Sequence, residues 1–257
     1  MSKAAQNKLA ILLRSLHKPG DPVIMANVWD AVTAEALTKV PGVKAVATAS
    51  YAIAAARGVA DNDMTFEQNL DGIRSIAPKV AAANLPLSVD LQDGYEDVAA
   101  SIKAIIELGV VGCNLEDFND RTNSLRPKEE AVERLKIAMK AAKEAGVPDF
   151  CINARTDVVV HGGSIDDAID RAHAYLDAGA HNSFVWGGGA RGLRTEEVAR
   201  LAEALDGRLN VIRRLTPEGL TLGELKEIGV ARISVGPTLQ FKALEAFKKA
   251  AQDMLEK

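Results

Sequence analysis

Eight short runs of β-branched and other apolar residues alternate with longer, alanine-rich amphipathic stretches, and this alternation limits the fold more than any other feature of the chain. The runs lie at 23–28, 45–50, 87–91, 112–116, 150–156, 183–186, 210–213 and 232–235. Each is almost continuously apolar, as expected of parallel strands covered on both faces. Helical spacing marks 65–80, 95–108, 127–145, 164–178, 195–205 and 221–228. Ser164, Thr195 and Thr221 stand where first turns begin, each ahead of acidic residues that suit the exposed N–H groups there. Gly109, Gly146, Gly179 and Gly229 follow helical stretches, where a left-handed residue closes a helix.

Strand–helix units without a linker, tandem repeat or low-complexity segment predict an α/β chain folded as one closed (β/α)8 barrel of the TIM type. The single domain is expected over 1–257, with 239–257 as a C-terminal helix that seals the barrel or packs on a neighbouring subunit. An open doubly wound sheet is the alternative, but no GxGxxG follows a strand. Gly187-Gly188-Gly189 follows one without that spacing or a P-loop lysine, and reads as a flexible loop.

A length of 257 residues suits one barrel, and 47% hydrophobic with 26% charged residues suits a globular rather than a disordered chain. A net charge of −4 gives no electrostatic reason to expect nucleic acid or an anionic membrane as partner. Cys113 and Cys151 sit inside apolar runs and read as buried free thiols without metal-type spacing. The opening residues 1–8 are polar, and no run approaches the roughly 18 apolar residues of a membrane span. An intracellular, cytoplasmic location is expected.

Barrel active sites form at the C-terminal ends of the strands. Those ends carry Asn27, Trp29 and Asp30, then Thr48, Ala49 and Ser50 with Asp61 beyond, then Asp90, Gln92 and Asp93, then Glu116 and Asp117, then Arg155 and Asp157, then Trp186. The opposite ends supply mostly Gly, Pro, Ala and Val, so the polar end is the catalytic face. Asp90 and Glu116 close adjacent strands with Asp61 nearby, and converging carboxylates repel unless a cation joins them. Hard oxygen ligands with room for water suit Mg2+, or Mn2+. Any one of these acids could instead cap a helix or pair with a surface lysine; the set at three successive strand ends argues for the ion. Arg155 closes an otherwise apolar strand and needs an acceptor: an anionic substrate, one of Glu116, Asp117 and Asp157, or both. None of His17, His161, His173 and His181 falls where a general base is expected, and all four read as surface or core residues.

Assembled in order, the motifs Ala26-Asn27-Val28-Trp29-Asp30-Ala31, Ala47-Thr48-Ala49-Ser50 with Gly58 and Asp61, and Ser88-Val89-Asp90-Leu91-Gln92-Asp93-Gly94-Tyr95 continue into Gly112-Cys113-Asn114-Leu115-Glu116-Asp117, Asn153-Ala154-Arg155-Thr156-Asp157 and Ala231-Arg232-Ile233-Ser234-Val235-Gly236. Along nearly the whole chain this series resembles the isocitrate lyase/phosphoenolpyruvate mutase superfamily. The resemblance implies a barrel whose eighth helix swaps between subunits of a homo-oligomer, a tetramer or dimer. It implies Mg2+ held by Asp90, with Asp61 and Glu116 acting largely through water and Gln92 at the second acidic metal position. It further implies that backbone N–H groups near Thr48, Ala49 and Ser50, with the Arg155 side chain, grip a substrate carboxylate, and that Trp29 lines the pocket.

Three departures narrow the activity. Gln92 removes one negative charge from the metal position, for which Asp93 could compensate. The loop after the fourth strand, Phe118-Asn119-Asp120-Arg121-Thr122-Asn123-Ser124-Leu125, lacks the cysteine with which isocitrate and methylisocitrate lyases supply a proton. Thr122-Asn123-Ser124 is similar to the gate of the phosphonopyruvate-handling members, with Arg121 at the place of their lysine and the loop one residue shorter. The resemblance therefore implies a Mg2+-dependent lyase or hydrolase that cleaves the C–C bond beside the keto group of a small 2-oxo carboxylic acid, oxaloacetate-like, through an enolate. Arg155, Arg121, Asn123 and Ser124 are the expected catalytic contacts. One alternative is a phosphonomutase or phosphonopyruvate hydrolase acting on a P–C bond. Another is a non-catalytic keto-acid-binding barrel, which Gln92 supports best.

Overall fold

Where the first and last strands of the barrel meet, one buried amide reinforces the backbone ladder that closes it. Asn27 donates from Nδ2 to the Thr48 carbonyl at 2.7 Å, and its Oδ1 accepts from the Val235 and Gly236 N–H groups at 3.1 and 3.0 Å. One side chain thus joins the ends of the first, second and last barrel strands.

The computed structural model describes every residue except Asp120, Glu218 and Lys257. In chain order the elements are α1 (Lys3–Leu16), β1 (Val23–Val28), α2 (Ala31–Thr38), β2 (Val46–Thr48), α3 (Ser50–Ala56), α4 (Phe66–Ala82), β3 (Leu87–Asp90), α5 (Val98–Glu107) and β4 (Gly112–Glu116). A hairpin follows, β5 (Phe118–Asn119) and β6 (Ser124–Leu125), then α6 (Lys128–Glu144), β7 (Cys151–Thr156), α7 (Ile165–Asp177) and β8 (Asn182–Val185). The chain ends with α8 (Thr195–Ala204), β9 (Leu209–Ile212), α9 (Leu222–Ile228), β10 (Arg232–Ser234) and α10 (Thr238–Leu255). Eight parallel strands close in the order β1-β10-β9-β8-β7-β4-β3-β2, with β5 and β6 as a separate antiparallel pair.

All eight expected strands are present. Their boundaries move most at 45–50, where β2 holds only three residues and Ser50 already opens α3. The stretch from Ser50 to Ala56 is five-sevenths alanine and serine, and helix propensity there prevails over extension of the apolar run. The helices α2 and α3 and the β5–β6 hairpin have no counterpart in the sequence-based elements. In α2 the signal is a capping box: Asp30 accepts from Thr33 N at 2.7 Å while Thr33 Oγ1 accepts from Asp30 N at 3.3 Å. Gly109, Gly146, Gly179 and Gly229 all take the left-handed conformation foreseen for them.

The N-terminal ends of the strands are closed by α1. Gln6 Nε2 donates to the carbonyls of Ile106 and Val110 at 2.8 and 2.9 Å, and Asn7 Nδ2 donates to Asp149 at 2.8 Å. Leu13, fully buried, fills the space beside Gly112, where an added Cβ would lie 2.6 Å from the Cys151 carbonyl. Sealing that end leaves the C-terminal ends as the open face. Cys113 and Cys151 are buried and unpaired, and burial pushes both thiols up, Cys151 to about 12. Among the described residues, no helix is long and apolar enough to cross a membrane.

His17 and His181 meet edge-to-face at this sealed end, with ring centroids 5.1 Å apart. Burial, the Arg232 guanidinium and each other's charge hold His17 well below its ordinary value, and burial with Arg14 lowers His181 to about 4. Folding therefore excludes protons that the unfolded chain takes up. The stability these two rings contribute is fully present above about pH 6.5 and is lost as pH falls toward 4. Thermal unfolding at pH 7 and pH 4.5 checks this: the midpoint drops on acidification, and drops less in a His181→Asn chain. Equal drops in the two proteins would contradict the assignment.

Candidate active site

The turn after β3 holds three left-handed residues, Gln92 (φ 50°), Gly94 (φ 84°) and Tyr95 (φ 61°). At Gly94 an added Cβ would come within 2.7 Å of Val98 and 2.9 Å of Leu115, so no side chain fits. Left-handed conformations at Gln92 and Tyr95 cost on the order of 1–3 kcal/mol each and persist where surrounding contacts fix them. Those contacts are all present. Asp93 accepts from Tyr95 N at 2.9 Å and from Arg126 Nη2 at 2.6 Å. Arg134 Nη2 donates to the carbonyls of Asp93 and Tyr95 at 2.6 and 2.8 Å. Asn69, reaching in from α4, donates to the Asp90 carbonyl and to Tyr95 Oη, each at 3.0 Å. Burial, reinforced by Asp90 and Asp61, pushes the Tyr95 hydroxyl well above its ordinary range, so it stays neutral. Asp93 is thus engaged by its own turn and by Arg126, and does not compensate for Gln92.

The strained turn aims two groups. Asp90, the last residue of β3, has Oδ2 held by Ser50 N at 3.1 Å and Ser50 Oγ at 3.0 Å, while its buried Oδ1 has no hydrogen-bond partner among the described residues. Gln92 turns its amide nitrogen onto Asp61, donating to the carbonyl at 2.8 Å and to Oδ1 at 3.1 Å. Ser50 Oγ lies 3.3 Å from Asp61 Oδ2, so one serine links the two acids.

Arg155, near the end of β7, is fixed on three sides. Its Nη1 lies 2.7 Å from Glu116 Oε2, and its Nε and Nη2 form a fork on Asp157 at 2.7 Å each. The guanidinium carbon sits 4.3 Å from the Trp186 ring centroid and 5.6 Å from that of Phe184. Burial alone would lower the arginine, but Asp157 and Glu116 outweigh it and raise its proton affinity. Asp157 is aligned in turn by Asp117, whose Oδ1 accepts the Asp157 N–H at 2.9 Å and whose Oδ2 accepts from Tyr175 Oη at 2.7 Å and Arg171 Nη1 at 3.1 Å.

These groups surround a cavity of about 1280 Å3 at the open end of the barrel, lined by Asn27, Ala49, Ser50, Asp61, Asp90, Asn114, Arg155 and Trp186 and also by 187–189, 191–194, 211–216, Gly219 and Leu220. The expected residues Ala49, Ser50, Asp61, Asp90 and Arg155 therefore share one cavity. Thr48 stands just behind, its Oγ1 accepting from Asp90 N at 2.9 Å. Glu116 lies behind Arg155, and Gln92 behind Asp61. Trp29 is half-buried against the core and is not among the lining residues. Arg121 is drawn to Glu96, Asn123 is exposed, and Ser124 Oγ pairs with Thr122 Oγ1 at 2.8 Å, so these three expected contacts stand outside the cavity. Asp120 of the same loop lies outside the described residues. Trp186 stands at an expected strand end, but its stacking on Arg155 has no signal in the sequence, and neither has Asn69, a buried helix residue with no motif to mark it.

Charge dictates what the cavity accepts. On the side of the cavity that carries Arg155, four carboxylates gather: Glu116 and Asp157 pair with its guanidinium, and Asp61 and Asp90 are linked through Ser50. A surplus of carboxylate beside a buried, unpartnered Asp90 Oδ1 fits a hard divalent cation. Among the described residues only His17, Cys151 and His181 bring three candidate ligand atoms within 4.8 Å of one another. That trio lies at the sealed end beside Arg14 and Arg232, which disfavour a cation. The mouth carboxylates are spaced more widely, which suits an ion that keeps much of its water.

Residues 13–255 match the family model described as phosphoenolpyruvate phosphomutase. A protein of Burkholderia cenocepacia J2315 assigned as a phosphonomutase superposes with a TM-score of 0.86 at 37% identity, covering 96% of this chain and 99% of that one. The 2-methylisocitrate lyase of Escherichia coli K12 is 37% identical over 131 residues, 47% of this chain and 42% of that enzyme. A phosphonopyruvate hydrolase solved with oxalate and Mg2+ superposes with a TM-score of 0.83 at 20% identity over 100% of this chain and 88% of its own, and shares the fold.

Gln92→Glu tests the charge argument. It sets a carboxylate against Asp61, so the melting temperature should fall by several degrees in EDTA and recover when Mg2+ is added. Unchanged melting in EDTA, or no recovery with Mg2+, would contradict the placement.

Proposed function

The chain belongs to the phosphoenolpyruvate phosphomutase family, and on that premise we propose a Mg2+-dependent enzyme that cleaves the C–C bond beside the keto group of a small, oxaloacetate-like 2-oxo acid. The observation that carries the reading is the unpartnered Asp90 Oδ1 on the side of the cavity where Asp61, Asp90, Glu116 and Asp157 stand with Arg155. Asp90 would hold the ion directly, with Asp61 and Glu116 reaching it through water and Gln92 keeping Asp61 in place. Mn2+ suits the same donors. When bound, the ion supplies Lewis-acid polarisation of the substrate's oxygens.

The chain's own residues supply the rest. Arg155 uses three of its five N–H donors on Glu116 and Asp157. The remaining donors, held rigid by that fork and by Trp186, offset negative charge growing on the keto oxygen as the neighbouring bond breaks. Fixed donors aimed at developing charge lower a barrier by about 3–4 kcal/mol each. Asn27 and Asn114 add neutral polar contacts to the cavity wall.

P–C bond chemistry is the second reading. It draws on Thr122-Asn123-Ser124 and on the assignment of the Burkholderia relative. It requires Arg121 to leave Glu96 and swing over the cavity.

A homo-oligomer is part of the proposal. Phe241, Leu244, Phe247, Met254 and Leu255 of α10 and Ile24 of β1 are all exposed, and a swapped helix would cover both faces. The free buried thiols suit a cytoplasmic location.

Purified protein assayed with Mg2+ against oxaloacetate, longer 2-oxo diacids and phosphonopyruvate decides among the readings. The expected outcome is turnover of a 2-oxo diacid that EDTA stops and Asp90→Ala lowers at least about 100-fold. Turnover of phosphonopyruvate alone would favour P–C chemistry. Tight Mg2+-dependent oxalate binding without turnover of any acid would favour a non-catalytic barrel.

A further inference from the structure

We propose that Arg213 is a specificity residue that reads a second anionic group at the far end of the substrate, a claim that rests on the reading of the site given above. Arg213 directly follows β9, so it stands on the same open face as Asp90 and Arg155. Its backbone N–H donates to the Ser234 carbonyl at 2.8 Å, which fixes where the side chain starts. The side chain is half-buried in the cavity wall, and Nε donates to the Leu220 carbonyl at 3.3 Å. No carboxylate pairs with it among the described residues.

Arg57, Arg134, Arg208, Arg214 and Arg232 likewise meet only neutral acceptors among the described residues, but of these only Arg214 also lines the cavity. The arginines around the acid side of the cavity are all matched: Arg155 to Glu116 and Asp157, Arg126 to Asp93, Arg171 to Asp117. On the opposite wall, Arg191 pairs with Glu197, while Arg214 tethers the 187–192 loop by donating to the Arg191 carbonyl at 3.1 Å. The cavity is therefore polarised, with surplus carboxylate on the side of β2 and β3 and a surplus guanidinium on the side of β9. With Nε on the Leu220 carbonyl, the Nη donors of Arg213 keep no protein carboxylate and are open to an anionic ligand in the cavity.

Strand order sets the reach. β8 alone separates β7, which carries Arg155, from β9. At roughly 4.8 Å per strand, the two guanidinium-bearing ends stand about 10 Å apart around the wall. A 2-oxo acid anchored beside Arg155 and Asp90 would bring a distal carboxylate or phosphonate to Arg213, whereas a monoacid of equal length leaves the arginine unmatched. The ligand class is a 2-oxo acid with a second anionic group.

Calorimetric titration with Mg2+ present tests this on the intact chain, using 2-oxoglutarate against 2-oxopentanoate, phosphonopyruvate against pyruvate, and oxalate as a ligand too short to reach. The wild type should prefer the dianionic member of a pair by about tenfold or more. In Arg213→Met that preference should collapse toward unity, with 2-oxopentanoate, pyruvate and oxalate binding as before, and Arg213→Lys should restore part of it. Collapse in the carboxylate pair alone, or in the phosphonate pair alone, names the group that is read. A preference that survives Arg213→Met, or equal weakening of every ligand including oxalate, would overturn the role of Arg213. Failure of oxalate itself to bind the wild type with Mg2+ would instead overturn the reading of the site, and this inference with it.

Discussion

The fork between Arg155 and Asp157, completed by Glu116, is the interaction from which the rest of the site follows. A guanidinium buried at a strand end must find acceptors, and two carboxylates supply them at 2.7 Å. The match is planar and bidentate on one side, so the arginine cannot rotate, and Trp186 closes its face. Two acids for one cation already leave a negative surplus. Asp90 at the end of β3 and Asp61 in the loop after α3 add to it, and that side of the open end becomes a place that added positive charge balances.

Keeping so many acids together needs a frame that does not relax. Asp117 orients Asp157 while Arg171 and Tyr175 orient Asp117; Arg126 and Arg134 lock the turn that carries Gln92 and Tyr95 in left-handed conformations. Removing one member of a buried pair of this kind typically costs about 3–5 kcal/mol, because its partner is left charged and unmatched. The strain at 92–95 is thus maintained by the Arg126–Asp93 ion pair and by Arg134 on two carbonyls, while Gln92 holds Asp61 beside Asp90. Polarity also varies around the rim, from carboxylate at β2 and β3 to guanidinium at β9. A ligand with an anion at each end and a metal-chelating group at one of them matches that distribution.

Much of this was legible in the sequence because its signals are local. The eight apolar runs are strands, and the acids and Arg155 at their ends do converge. What escaped depends on contacts distant in sequence or on backbone direction. The run at 45–50 broke after Thr48 because helix propensity of the following alanines, not apolarity, decided Ser50. Gln92 occupies the expected turn, yet its positive φ points the amide at Asp61 rather than into the cavity. Asp93 was within reach of the same cavity by sequence alone, but Arg126, thirty-three residues on, captured it. Arg121 was expected over the cavity and instead found Glu96, twenty-five residues back. Nothing in the spacing of Trp186 announced that its ring would cap Arg155, since that contact exists only once β7 and β8 are side by side.

The central claim, that surplus carboxylate at the barrel mouth seats one divalent cation at Asp90, is tested most directly by titrating the chain with Mn2+ and following the free-ion electron paramagnetic resonance signal. One Mn2+ should bind per chain, be displaced by Mg2+ and be absent in Asp90→Asn. Binding that survives Asp90→Asn, or no stoichiometric binding by the wild type, would contradict it.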